Sequence, residues 1–131
     1  MQQDYYKLSN GKQAVDYIYK MNLHFSYGNA FKYITRASRK PDNTAESDMN
    51  KALVYLISVK DEMCFLKRVM LGLINRLSIN EKEKLGDDYL SDILISIMKF
   101  KDPKYIANLL INYADMKCIP VKQEFRDYVN K

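Results

Sequence analysis

The chain has one histidine, no tryptophan, four glycines, three prolines and two cysteines in 131 residues. Each scarcity removes something. With His24 as the sole imidazole, neither a histidine-rich zinc site nor a Ser-His-Asp triad is to be expected. Cys64 and Cys118 are too few for a disulfide framework and are expected as free thiols. Few glycines and prolines leave little material for tight β-turns, which points to helices. No run of about 18 apolar residues occurs, and the opening stretch MQQDYYKLSNGKQ lacks the apolar centre of a secretion signal; a cytoplasmic location is expected. The "NGKQ" at 10–13 has Gly-Lys but lacks the upstream Gly and the following Ser/Thr of a P-loop, and no dinucleotide, zincin or EF-hand motif is present. The sequence calls for no metal and no cofactor.

What is present suits one soluble domain: 47% of residues are apolar and 28% charged, a balance compatible with a single modest core. Tyrosine is abundant at 11, and its apolar ring with a polar tip suits the rim of a cleft or interface. The net charge of +5 is uneven. Residues 1–42 carry seven Lys/Arg against three Asp/Glu, whereas residues 78–131 carry nine of each. The basic excess at the first end favours an anionic partner there.

Helical spacing runs through most of the chain. Ser9 is placed to cap a helix through "KQAVDYIYKM", and Ser26 the next, where Tyr27, Ala30, Phe31 and Ile34 form an apolar stripe. Asn43 with Glu46 reads as a capping box ahead of a long pattern. Met49, Ala52, Leu56, Val59, Met63, Leu66, Met70, Leu73 and Leu77 follow one another in steps of three and four, the spacing of a coiled-coil seam. Unbroken, residues 44–77 form a central helix of roughly 50 Å, with Gly72 its weakest point, and part of the seam is free to pair with a second copy. Ser78 with Glu81 suggests a short helix ending at Gly86; "DDYLSDILISIMKF" suggests a buried one; Asp102-Pro103 opens another; a last short helix follows Pro120. The expected fold is an all-α bundle of about six or seven helices in a single domain, with 1–77 built around the long helix and 78–131 as a C-terminal helical extension.

Two polar groups stand out. The acidic set Glu81, Glu83, Asp87, Asp88 and Asp92 has the charge to attract Mg²⁺, but a solvated helix start explains it as well. In "SYGNAFKYITRASRKP", Asn29, Lys32, Tyr33 and Arg36 lie about 200° around the helix from the apolar stripe, with Lys40 following. Lys32, Arg36 and Lys40 offer cationic donors of the kind that hold phosphate, Gly28 and Asn29 stand where free helix amides are expected, and Tyr33 offers a ring for a base to stack on. The plain alternative is a wet basic helix face.

The stretches "DYYK" at 4–7, "GNAFKYITRA" at 28–37, Lys40 and "DMNKALVYL" at 48–56 resemble a family of small tailed-phage proteins with a G-N-x-x-K-Y-x-x-R, Lys, D-x-x-K-A-x-x-Y-L pattern. A podovirus member of that family is described as a nucleotide kinase without a P-loop. The match spans about residues 4–60. It implies a ligand site built from Asn29, Lys32, Tyr33, Arg36, Lys40, Asp48, Lys51 and Tyr55, with Arg36 oriented by Asp48, and a gene product acting in the cytoplasm of a bacterial host. Tyr5 stands where the family has His, which removes a general base and leaves binding of a phosphorylated ligand as the function implied.

The expected partner is therefore a nucleotide or other phosphorylated small molecule. The alternatives are a host defence protein, inhibited by direct contact, and nucleic acid on the basic N-terminal face. No membrane partner is expected, and a homodimer through 49–77 is. On this reading Arg36→Ala and Lys32→Ala cost function and leave folding largely intact.

Overall fold

Helix starts follow from their capping residues. Asp87 accepts from the Leu90 amide at 2.8 Å, and Asp102 from Lys104 at 2.9 Å with Pro103 in the first turn. Thr44 caps the helix after the first basic segment, through Ser47 N at 3.1 Å. Gln13 precedes the first helix; its amide donates to Asp16 at 2.9 Å, while Ser9 donates instead to the Lys84 carbonyl.

The computed structural model describes residues 4–37, 39 and 44–131. Among them are α1 (Ala14–Lys20), α2 (His24–Arg36), α3 (Ala45–Glu62), α4 (Phe65–Arg76), α5 (Asp88–Met98), α6 (Pro103–Met116) and α7 (Gln123–Val129), after a 3-10 turn at Asp4–Tyr6. The fold is an all-α bundle, with no strand among the described residues beyond one isolated bridge, Lys7 to Gln13. Asn43 and its capping box lie outside the described residues. Among the described residues no helix is long and apolar enough to cross a membrane.

α5 lies at the centre, with every residue from Ile93 to Met98 buried. α2 and α3 form an antiparallel hairpin, α6 packs on α3 and α5, and α7 lies on α6. Tyr27, Phe31, Leu53, Leu56, Ile93, Ile97, Ile106 and Leu110 belong to one core cluster, which draws on both halves of the chain.

The helices end without glycine. α1, α5 and α6 each close with paired backbone bonds of the Schellman type, such as Leu23 N to Ile18 O at 3.1 Å and Lys101 N to Ser96 O at 3.1 Å. The left-handed positions are held by Asn22, Phe100 and Cys118. Phe100 is unusual there, since a bulky side chain pays for that conformation. Its buried ring packs edge-on against Tyr27, with centroids 4.9 Å apart, and near His24, which offsets the cost.

The 44–77 pattern is two helices, not one. The chain turns extended at Met63 and Cys64, nine residues before Gly72. Met49, Ala52, Leu56, Val59 and Met63 are buried, as a core stripe must be. Beyond the break the same stripe faces out: Leu66, Met70, Leu73 and Leu77 are each more than half exposed. α4 sits on the body through its other side. Asn75 donates to the carbonyls of Met21 and Met98, both at 2.8 Å, and Arg68 to that of Phe100 at 3.0 Å. These carbonyls stand at the C-terminal ends of α1 and α5, where helices leave acceptors unmet. Gly72 is not a weak point but a close approach: a Cβ there would lie 2.2 Å from the Lys99 carbonyl oxygen. The expected helix from Ser78 to Gly86 is absent; that segment is turns and bends anchored by the buried Leu85. Two apolar residues, Ile79 and Leu85, six positions apart in so short a polar run give a helix no continuous stripe to bury.

Candidate functional site

The α2–α3 hairpin brings together most of the residues that the sequence pattern singles out. At one end, the Glu62 carboxylate accepts from the amides of Phe25 at 2.8 Å and Ser26 at 3.0 Å. α2 begins at His24, three residues earlier than a Ser26 cap implies, so these are among its first free amides. The anion position of that helix is thus filled from within. Gly28 and Asn29 lie a turn further on. Gly28 is buried against Ile18, and Asn29 donates to the Phe25 carbonyl at 2.9 Å. Asn29 does not join the other polar residues.

At the other end, Arg36 and Asp48 form a buried ion pair, with Nε 3.0 Å from Oδ1 and Asp48 fully enclosed. Arg36 Nη1 donates to the Tyr6 hydroxyl at 2.9 Å. Burial works against the guanidinium charge, but the bonds to Tyr6 and Asp48 and the Asp48 charge outweigh it and raise the Arg36 pKa. Arg36 is 7% exposed, so the open cation expected here is an interior one.

Between the two ends runs a ladder of rings. Phe25 meets Tyr55 edge-on at 5.6 Å, and Tyr55 lies parallel to Tyr33, 9° apart in plane and 5.8 Å between centroids. The Arg36 guanidinium lies 4.5 Å from the Tyr33 centroid, and the ammonium groups of Lys32 and Lys51 lie 4.8 and 5.5 Å from it. Cations this close to a ring are held by its quadrupole. Tyr33 is already stacked with Tyr55 and Arg36, so a base would have to displace one of them to stack there. Lys32, Tyr33, Arg36, Asp48, Lys51 and Tyr55 therefore converge; Lys40 lies outside the described residues.

An open cavity of about 650 Å³ lies on another side of the α2–α3 corner, lined by Leu8, Ile34, Met49, Leu85, Leu90 and Ile119 among others. Lys7, Arg39 and Lys117 also line it, and among the described residues no carboxylate does. Its volume falls within the range of small-molecule sites. Ser9, Thr35 and Tyr113 line it too, but Ser9 and Thr35 already spend their protons on backbone carbonyls and Tyr113 lies 3.3 Å from Asp87. Of the cations, Arg39 also donates to the Thr35 carbonyl at 3.4 Å and Lys117 stands 5.7 Å from the Tyr113 ring centroid, contacts with which a ligand would compete. Sequence reading passed over Lys7, Arg39 and Lys117 because they come from three separate segments with no common spacing; only the basic excess of residues 1–42 hinted at the first two.

The acidic set is dispersed. Glu81 pairs with Lys99, Lys84 with Asp88, Asp87 caps α5, and Glu83 accepts from the Tyr17 hydroxyl at 2.6 Å. That hydrogen bond, with those from Asn10 and Lys12, holds the Glu83 carboxyl below its ordinary pKa, while burial and the Glu83 contact push Tyr17 up to about 12. Among the described residues no three His, Cys, Asp or Glu side chains are grouped to hold a metal ion. No protein-family model matches the chain, and no curated protein or solved structure matches it.

Proposed function

We propose that the protein binds a phosphorylated small molecule, a nucleotide being the leading class, in the cavity bordered by Lys7, Arg39 and Lys117. The observation that carries this reading is the pairing of apolar walls with three cations and, among the described residues, no carboxylate. Apolar walls suit a base or other flat group, and the cations suit phosphate oxygens. The charge excess of residues 1–42 and the resemblance to the small phage family support it. The ring ladder serves as the hairpin's brace, because Arg36 is buried in its ion pair with Asp48 and Tyr33 is stacked on Tyr55.

Thermal-shift measurements with nucleoside phosphates test the reading. A ligand at about 100 times its Kd adds about 2.7 kcal/mol, or about 10 °C for a chain of this size. Lys7→Ala with Lys117→Ala should weaken binding at least tenfold, since each charge-assisted contact is worth about 1.5–3 kcal/mol. Lys32→Ala with Lys51→Ala should leave it unchanged. The reverse pattern would move the site to the ladder. No shift with any phosphorylated compound, together with a host defence protein retained stoichiometrically from lysate, would replace this reading with that of a protein-binding inhibitor.

A further inference from the structure

α4 is built inside out. Its inward side is Arg68, Leu71, Gly72 and Asn75, fixed by hydrogen bonds, one close backbone approach and the packing of the partly buried Leu71. Its outward side is Phe65, Leu66, Met70, Leu73, Ile74 and Leu77, each more than half exposed, with Leu77 at 90%. A helix normally turns its apolar stripe to the core. Here the core contact is polar apart from Leu71, and the stripe is left over. Weighting large apolar side chains by these exposures gives about 700 Å² in one strip, above the roughly 300–600 Å² that the largest patch of a monomer usually reaches.

We propose that this strip is the seam of a symmetric dimer, covered by α4 of a second copy. This rests on α4 alone and is independent of the ligand reading. Three observations select a second copy. The first is period: Leu66, Met70, Leu73 and Leu77 follow in steps of four, three and four, the spacing at which one helix seats its knobs between those of another. The second is area: about 700 Å² per copy approaches the roughly 800 Å² per partner of a standard stable interface. The third is charge. α4 carries Lys67, Arg68 and Arg76 and no acidic residue. Arg68 is spent on the Phe100 carbonyl, and Lys67 and Arg76 flank the seam on opposite sides. With the helices antiparallel, Leu66 covers the partner's Leu77 and Met70 the partner's Leu73. Lys67 then lies beside the partner's Ile74 and Arg76 beside the partner's Val69, so no like charges meet. Opposed helix dipoles favour the same arrangement.

Sedimentation equilibrium of the full chain decides it. The wild type should weigh twice its 15.4 kDa, and Met70→Glu with Leu73→Glu should return it to one copy. Because both side chains are exposed in the single chain, the variant should keep the wild-type circular dichroism spectrum; a second variant, Leu66→Ser with Leu77→Ser, guards against a local effect of the glutamates. A wild type that stays at 15.4 kDa at millimolar concentration overturns the proposal, as does a dimer that survives both variants. A monomer that instead binds vesicles of anionic lipid, and loses that binding in the same variants, also overturns it and gives the strip to a membrane surface.

Discussion

Gly72→Ala separates the packing of α4 from its intrinsic helix preference, because the two act in opposite directions. In an isolated helix the change stabilises by about 1 kcal/mol. In this fold the new methyl would lie 2.2 Å from the Lys99 carbonyl oxygen and 3.3 Å from the Lys99 carbonyl carbon. Both atoms are backbone, in the turn that closes α5, and that turn is pinned by Lys101 N to Ser96 O. Relief requires α4 to retreat by about 1 Å, which lengthens the Asn75 bonds to Met21 and Met98 and the Arg68 bond to Phe100. Net hydrogen bonds contribute about 1 kcal/mol each, and overpacking costs about 1–3 kcal/mol. After the propensity gain, the expected loss is about 2 kcal/mol, a fall in Tm of about 8 °C. Thermal unfolding followed at 222 nm reads it directly, with Gly72→Ser as a second, similarly crowded variant. A Tm equal to or above that of the wild type would refute the close approach.

Two further outcomes are expected. Arg36→Ala should destabilise by about 3–5 kcal/mol by leaving Asp48 buried without its guanidinium, whereas Arg36→Met with Asp48→Leu should recover most of that in urea unfolding; equal losses in both would contradict the buried pair. Glu83 has a lowered folded pKa, so its contribution is present at neutral pH and fades as pH falls from 4.5 through that lower value. The stability gap between wild type and Glu83→Gln in urea should therefore close on acidification, and a gap that is constant with pH would exclude the Tyr17–Glu83 contact; Tyr17, raised to about 12, adds stability that is lost as pH rises from 10 through 12.

The helical class was legible because capping and spacing agree over most of the chain, as at Asp102-Pro103 and along the Ile93–Met98 run. The pairing of Arg36 with Asp48 was legible only through the resemblance, since helical spacing says nothing of which faces meet; the stacking of Tyr33 on Tyr55 was not legible, both rings having been expected as ligand contacts. The break at Met63–Cys64 was not legible. The apolar period runs across it without a miss, and neither glycine nor proline marks it. Periodicity reports a stripe, not what covers it, so an apolar line that is core in α3 and surface in α4 reads as one seam. The same limit hid the cavity, which depends on Lys7, Arg39 and Lys117 meeting only after the fold is made. The helix ends were equally silent, because Asn22, Phe100 and Cys118 do what glycine does in most helices.

The way α4 is attached has a consequence for how the molecule opens. Three side-chain bonds, one glycine contact and the partly buried Leu71 hold it, whereas the hairpin, α5 and α6 are joined through the apolar core. An element fixed mainly by polar bonds near the surface lies at the low end of local stability. Its amides should exchange with solvent through an opening that leaves Tyr27, Leu56 and Ile97 packed. The chain then has two stabilities instead of one, that of the core and a smaller one for α4. If a second copy covers α4, only the smaller one rises with protein concentration, because association acts on the closed form of that helix alone.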